Sequence, residues 1–251
     1  MSFKSKVVIV TGASSGIGAV TAEYFSKENA DVVLVGRNEE KLNNVAKKCA
    51  ANGKTPLIIK ADVSKDQDVE RIISETIKKF NKLDVLVNNA GILLGGTLEK
   101  GNMLSVYDEI MKTNLRSAVH LTMLATPYLI ASKGNVVNVS SVASNTIFSQ
   151  EYVAYCMSKA AMDHFGRGAA LELGKHGVRV NTVNPGPVKT AIFATAGVKV
   201  SYDEMGFKTL LNRWSDSEEI ADIILFLASD RAKGITGSNF TCDNGYLVAN
   251  N

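Results

Sequence analysis

The sequence predicts an α/β fold: a single domain on a doubly wound parallel sheet of about seven strands, with helices on both faces. Three observations carry that expectation. Short, β-branched apolar runs recur along the chain, stretches of helical periodicity separate them, and a glycine-rich turn joins the first run to the first helix. Strands buried on both faces read as continuous apolar runs, and parallel neighbours need right-handed crossover helices.

Val7-Val8-Ile9-Val10 is the first strand, and Thr11-Gly12-Ala13-Ser14-Ser15-Gly16-Ile17-Gly18 follows it at once. Val20, Ala22, Tyr24 and Phe25 then continue as a helix. Strand, glycine-rich turn and helix together aim free backbone N–H groups and a helix dipole at a phosphate. The spacing is G-x-x-x-G-x-G, not the commoner dinucleotide G-x-G-x-x-G. A plain tight connection is the alternative, but the position between a buried strand and a helix favours binding.

Asp31 to Gly36 predicts the second strand, followed by Arg37-Asn38. An acidic residue at that strand end would bond a ribose 2′-hydroxyl. Here Gly36 leaves room and Arg37 offers a forked donor for a 2′-phosphate, favouring NADP(H) without excluding NAD(H). An Arg that merely caps the strand at the surface is the bland alternative.

Glu39 to Asn52 is helical and ends at Gly53, and Pro56 opens a third strand, Leu57 to Ala61. Asp62 suits a cap of the next helix, a contact to an adenine amino group, or both. Ile72, Ile73, Thr76, Ile77 and Phe80 recur at helical spacing. The fourth strand, Leu83 to Val87, runs into Asn88-Asn89-Ala90-Gly91, small and amide residues suited to lining a cofactor and pinning neighbouring turns. Met103 to Ala131 holds a long helix containing Asn114, with Pro127 kinking or ending a segment.

Asn135 to Val139 is the fifth strand and closes on Ser140-Ser141. The next helix carries Tyr155 and Lys159, four residues apart and so one turn apart on one face. A phenol has a pKa of about 10, and a fixed ammonium nearby favours the phenolate, bringing it toward the working range. The spacing alone is common by chance. Val178 to Val183 is the sixth strand, ending in Asn184-Pro185-Gly186-Pro187. The irregular segment 191–214, with Phe193, Met205, Phe207, Leu210 and Leu211, reads as a substrate lid. Ser217 starts a last helix, and Ser238 to Cys242 is the closing strand.

Composition narrows the functional classes. Net charge is +3 over 251 residues without a basic block, which gives nucleic acid or membrane binding no support. Cys49, Cys156 and Cys242 are too far apart for a disulfide framework, and His120, His164 and His176 have no metal-site spacing. The apolar run at the N-terminus is too short for a signal-peptide core or a spanning helix, so a cytoplasmic protein is expected.

Taken together, Thr11-Gly12-x-x-x-Gly16-x-Gly18, Asp62, Asn88-Asn89-Ala90-Gly91, Asn114, Ser141, Tyr155-x-x-x-Lys159 and Asn184-Pro185-Gly186 resemble the classical short-chain dehydrogenase/reductase family. The motifs occur in the family's order, and the match covers essentially the whole chain. The resemblance implies a Rossmann-type fold and a small-molecule substrate. It implies Tyr155 as general acid or base, Lys159 as its ribose-bonded partner, and Ser141 as donor to the substrate oxygen. Asn114 would support a water-linked proton path. The implied cofactor site runs over Gly12, Ser14, Ser15, Gly16, Ile17, Gly18, Arg37, Asn38, Asp62, Val63, Asn89, Ala90 and Gly91. It continues through Tyr155, Lys159, Pro185, Gly186, Val188 and Thr190. Alternation sends Ser140 and Ser141 to opposite sides, and the family's separation of serine from tyrosine fits Ser141, so the resemblance implies a structural Ser140.

Family likeness also implies a homodimer or homotetramer, paired through the helices of Met103–Ala131 and Ala154–Gly174. The apolar lid and the Ile92-Leu93-Leu94 loop point to a mainly apolar ketone: steroid-like, isoprenoid or aliphatic. A 3-oxoacyl thioester is the alternative, and a non-catalytic nucleotide-binding protein a more distant one.

Overall fold

The structure, a computed structural model, describes residues 2–197 and 206–250. Its elements are, in chain order, β1 (Val7–Thr11), α1 (Gly16–Lys27), β2 (Asp31–Gly36), α2 (Glu39–Asn52), β3 (Leu57–Lys60), α3 (Asp66–Phe80), β4 (Val85–Asn88), α4 (Met103–Ile110) and α5 (Ser117–Ser132). They continue with β5 (Asn135–Val139), α6 (Val153–Leu173), β6 (Arg179–Pro185), α7 (Ile192–Thr195), α8 (Ser217–Ala228), β7 (Asn239–Cys242) and α9 (Tyr246–Ala249).

Seven strands pair in the order β3-β2-β1-β4-β5-β6-β7, and every pair is parallel. The order reverses between β1 and β4, which opens a crevice at their carboxyl ends.

Strand alternation explains why the runs are uninterrupted. Val8, Val10, Val32 and Leu34 point into the layer that holds Ala22, Phe25, Leu42 and Ile224 from α1, α2 and α8. Val7, Ile9, Val33 and Val35 point the other way, onto Ile72, Leu121, Leu129 and Leu173 from α3, α5 and α6. Each such side chain contributes about 1.5–3 kcal/mol on full burial. A third apolar group, Ile92, Leu93, Ile110, Ala143, Ala154, Tyr155 and Cys156, gathers at the carboxyl ends of the strands.

The long helical region departs from expectation in two ways. Between α4 and α5 lies a π-helical segment, Met111–Arg116, centred on Asn114. Pro127 sits inside α5 without ending it. The carbonyl that proline leaves without a donor is that of Met123, on the solvent side, where the side chain is 60% exposed. The last helix is the short α9, not the one that begins at Ser217. Of the expected lid segment, residues 198–205, including Met205, lie outside the described residues.

Candidate active site

The turn after β1 is tied to the end of β4 and to the loop that follows it. Thr11 Oγ1 donates to Val87 O (3.2 Å) and accepts from the N–H groups of Asn89 and Ala90 (both 3.0 Å). Asn89 Nδ2 donates back to Thr11 O (2.8 Å). This crossing explains two glycines. A Cβ on Gly12, where φ is +67°, would meet Asn89 Nδ2 at 2.8 Å, and one on Gly18 would meet Gly12 O at 2.4 Å. Ser15, Gly16 and Ile17, at the start of α1, line the cavity, which fits a pyrophosphate at a helix N-terminus.

Beyond β2, a Cβ on Gly36 would stand 3.5 Å from the Ser14 hydroxyl. Ser14, Arg37, Asn38 and Lys41 surround this end of the cavity. Arg37 is exposed, and Asn38 caps α2 by accepting from Lys41 N–H (2.9 Å). Asp62 does not cap α3, because Lys65 holds that position. Its Oδ1 accepts from the N–H and hydroxyl of Ser64 (3.0 and 2.8 Å). Burial would raise the Asp62 carboxyl, but the Ser64 hydrogen bonds and the Arg37 charge outweigh it and hold the group low. An anionic acceptor thus faces the same pocket as a guanidinium.

At the opposite end stand Ser141, Tyr155 and Lys159, all lining the cavity. Ser141 opens the 3₁₀ turn Val142–Ser144, and its Oγ accepts from Ala143 N–H (3.1 Å). Burial pushes the Tyr155 phenol up to about 12, moderated by its hydrogen bond with Ser141. Lys159 is 4% exposed; burial lowers its ammonium to about 8, opposed by the charge of Asp163. Its Nζ donates to Val139 O (2.9 Å) and lies 5.5 Å from the Tyr155 ring centre. The expected depression of the phenol by the lysine is therefore reversed here: the ammonium is directed at a carbonyl, and burial dominates the phenol. Ser140 turns away and donates to Lys159 O (3.1 Å), as alternation requires.

Asn114 does not line the cavity; it is fully buried behind it. Its Oδ1 accepts from Ile92 N–H (2.8 Å), and its Nδ2 donates to Ile92 O (3.0 Å) and Ser158 Oγ (3.2 Å). The π turn directs this amide into the loop after β4, clamping Ile92 and, through Ser158, α6. Gly18 likewise lies beneath the lining rather than in it.

The strap after β6 closes the remaining side. Pro185, Gly186, Val188 and Thr190 all face the cavity. A Cβ on Gly186 would fall 2.6 Å from Asp243 Cα, and the Thr190 methyl reaches within 3.2 Å of a Cβ on Gly16.

One cavity of about 460 Å³ joins all of this, and it includes every other residue expected of the cofactor and catalytic sites. It also adds residues that no motif identified: Lys41, Phe148, Thr195 and Tyr246. Phe148 stacks on Tyr152 (5.4 Å between centres) and meets Tyr155 and Phe207 edge-on (both 6.3 Å). Tyr246 packs edge-on to Phe207 (5.8 Å). Aromatic surface therefore flanks the phenol. Thr195 Oγ1 accepts from Leu93 N–H (2.8 Å), fastening α7 to the opposite wall, and donates within its own helix to Ile192 O (2.6 Å).

The family model described as Enoyl-(Acyl carrier protein) reductase matches residues 12–247. The chain is 36% identical, over 97% of its length and 94% of the relative's, to an NAD-dependent glycerol dehydrogenase of Listeria innocua. The chain is a short-chain dehydrogenase/reductase. Another member of the family, a 3-oxoacyl-acyl-carrier-protein reductase of Thermotoga maritima, is 32% identical over 99% of this chain and 100% of its own. A solved short chain dehydrogenase of Burkholderia cenocepacia, in complex with NADP, superposes with a TM-score of 0.91 at 27% identity. That match covers 98% of this chain and 100% of that one. This short-chain dehydrogenase/reductase is accordingly an oxidoreductase of a nicotinamide-binding family.

Proposed function

We propose that the protein interconverts a ketone and a secondary alcohol using NADP(H), on a mainly apolar substrate that is steroid-like, isoprenoid or aliphatic. The observation that carries this reading is the convergence of Ser141, Tyr155 and Lys159 at the aromatic end of the cavity whose other end carries Arg37. When bound, the nicotinamide cofactor supplies or accepts the hydride. Gly12, Ser15, Gly16 and Ile17 would hold its pyrophosphate, with Asn89, Ala90 and Gly91 along its length. Asp62 and Val63 would flank the adenine, and Pro185, Gly186, Val188 and Thr190 the nicotinamide. Arg37, with Ser14, Asn38 and Lys41 around it, supports the phosphorylated cofactor.

Tyr155 holds its proton at neutral pH, so it is loaded as the acid for carbonyl reduction, and Ser141 bonds the same substrate oxygen as charge develops. Lys159 keeps a cation beside the phenol until pH rises past about 8. Reduction is therefore expected to hold through neutrality and fall above that value.

Segment 191–214 would act as lid within one domain. Leu104, Val119 and Met123, exposed on α4 and α5, support pairing as a homodimer or homotetramer. Of the small residues on α6, Gly166, Ala169 and Ala170 are buried in the monomer, and Ala160 and Gly168 are exposed and remain for a helix interface. Buried free Cys49 and Cys156 suit a reducing cytoplasm. The likeness to an oxoacyl-carrier reductase favours a 3-oxoacyl thioester as the second reading.

Incubation with NADPH or NADH and a panel of steroid, isoprenoid, aliphatic, quinone and oxoacyl ketones, followed by cofactor absorbance, tests both readings. Turnover of apolar ketones is expected, and inertness of the whole panel rejects the proposal. Arg37→Asp should weaken NADPH binding about a hundredfold while changing NADH binding less than about threefold. Equal losses for the two cofactors would remove the phosphate role.

A further inference from the structure

Asp163 is a buried carboxylate that the chemistry above does not use. It lies on α6 one turn beyond Lys159 and is 4% exposed. Both its oxygens accept from a single amide, Asn184 Nδ2, at 2.8 and 3.1 Å. That nitrogen also lies 3.1 Å from Ser141 O and 2.9 Å from Ser144 Oγ. Asn184 stands in β6 immediately before Pro185, and Ser141 opens the turn to Ser144. One carboxylate thus joins three walls of the site: the catalytic helix, the Ser141 turn and the strand end leading into Pro185-Gly186.

Burying a carboxylate is costly unless it is paired and hydrogen-bonded. We propose that Asp163 is a positioning residue: its charge keeps Lys159 an ammonium, and its hydrogen bonds seat Ser141 and Pro185 through Asn184. This rests on the reading of Tyr155 and Lys159 as the proton-delivering pair.

The surroundings of Lys159 leave Asp163 as the charge that matters. On α6, Tyr155 and Cys156 both stay protonated near neutrality, pushed up by burial. The π turn presents Asn114, whose Oδ1 lies 3.5 Å from a Cβ built on Gly91, with Lys159 Nζ 3.8 Å from the same point. From β5 come the Val139 carbonyl and Ser140, and from β6 Asn184, all uncharged. Asp163 alone opposes the effect of burial on the lysine.

Two variants separate the charge from the tether. Asp163→Asn keeps the size and one acceptor for Asn184; Asp163→Ala removes both. The first readout needs no substrate: NMR of the protein with isotope-labelled lysine, the Lys159 signal being assigned by its absence in Lys159→Arg. Its titration midpoint in Asp163→Asn is expected to fall by about one pH unit or more. An unchanged midpoint overturns the charge role.

The second readout uses whichever ketone is turned over. Asp163→Asn should lower kcat at pH 7 about tenfold and shift the alkaline limb downward, with KM and cofactor affinity within about twofold. Asp163→Ala should lose about a further tenfold as the Ser141 seat loosens. Wild-type kcat in a folded Asp163→Ala overturns the tether. If the alanine variant does not fold, a wild-type kcat and pH profile in Asp163→Asn overturns the proposal on its own. If no ketone is turned over, the oxidoreductase reading fails, while the lysine titration still decides whether Asp163 sets the charge.

Discussion

Lys159 carries a charge that its surroundings resist, since burial brings its ammonium down to about 8. A base whose folded pKa lies below its unfolded value costs stability below both. That cost disappears as pH rises through about 8 toward the ordinary lysine value of about 10.4. Lys159→Met should therefore raise the melting temperature at pH 7 by the equivalent of roughly 1–3 kcal/mol. Turnover should vanish, and the gain should shrink at pH 10. Melting curves at the two pH values check this, and a variant less stable than wild type at pH 7 rejects it. The sequence singles out this pair because its companions come in a fixed order, and the structure brings both residues to one cavity. Its electrostatics were not legible in the sequence, because burial depends on what packs over the phenol. Phe148 packs edge-on to it from the irregular stretch before α6, at a position that no motif marks.

Between residue and fold lies the turn joining β1 to α1, whose glycines are required by contact rather than by turn geometry alone. Gly18→Ala would place a Cβ 2.4 Å from both Gly12 O and Asn89 Nδ2. It should destabilise the protein by about 2 kcal/mol or more and weaken cofactor binding. Gly234→Ala, at an exposed position with nothing within 4 Å of the added Cβ, serves as the control and should change stability by less than about 1 kcal/mol. Denaturant titration of both variants reads the contrast; equal effects would remove the steric account. Strands and this turn were readable from sequence because β-branched runs and glycine spacing are local signals. The π segment around Asn114 was not, since a widened turn keeps the apolar composition of an ordinary helix and differs only in hydrogen bonding. Lys41 was passed over because a lysine in a first helical turn reads as solvated. Its place beside Arg37 depends on how α2 leaves the sheet.

Across the whole molecule, the two apolar layers are closed by helices, yet Leu104 and Met123 remain 71% and 60% exposed. If these residues pair subunits, the double variant Leu104→Glu, Met123→Glu should shift sedimentation from oligomer toward monomer while the far-ultraviolet spectrum stays native. An unchanged sedimentation coefficient places the interface elsewhere. Fold class and strand count were legible at this scale because alternation of strand and helix leaves few topologies. Periodicity does not mark a pairing surface, since an apolar residue facing solvent and one facing the core follow the same helical period, so the expected pairing helices came from the family likeness alone. The Thr11 hydroxyl, bonded at once to Val87, Asn89 and Ala90, has a kinetic consequence at this scale. A crevice floor stitched across the reversal point cannot widen by sliding one half of the sheet past the other. Passage of a long ligand past α7 would instead require breaking the bond by which Thr195 holds that helix to Leu93.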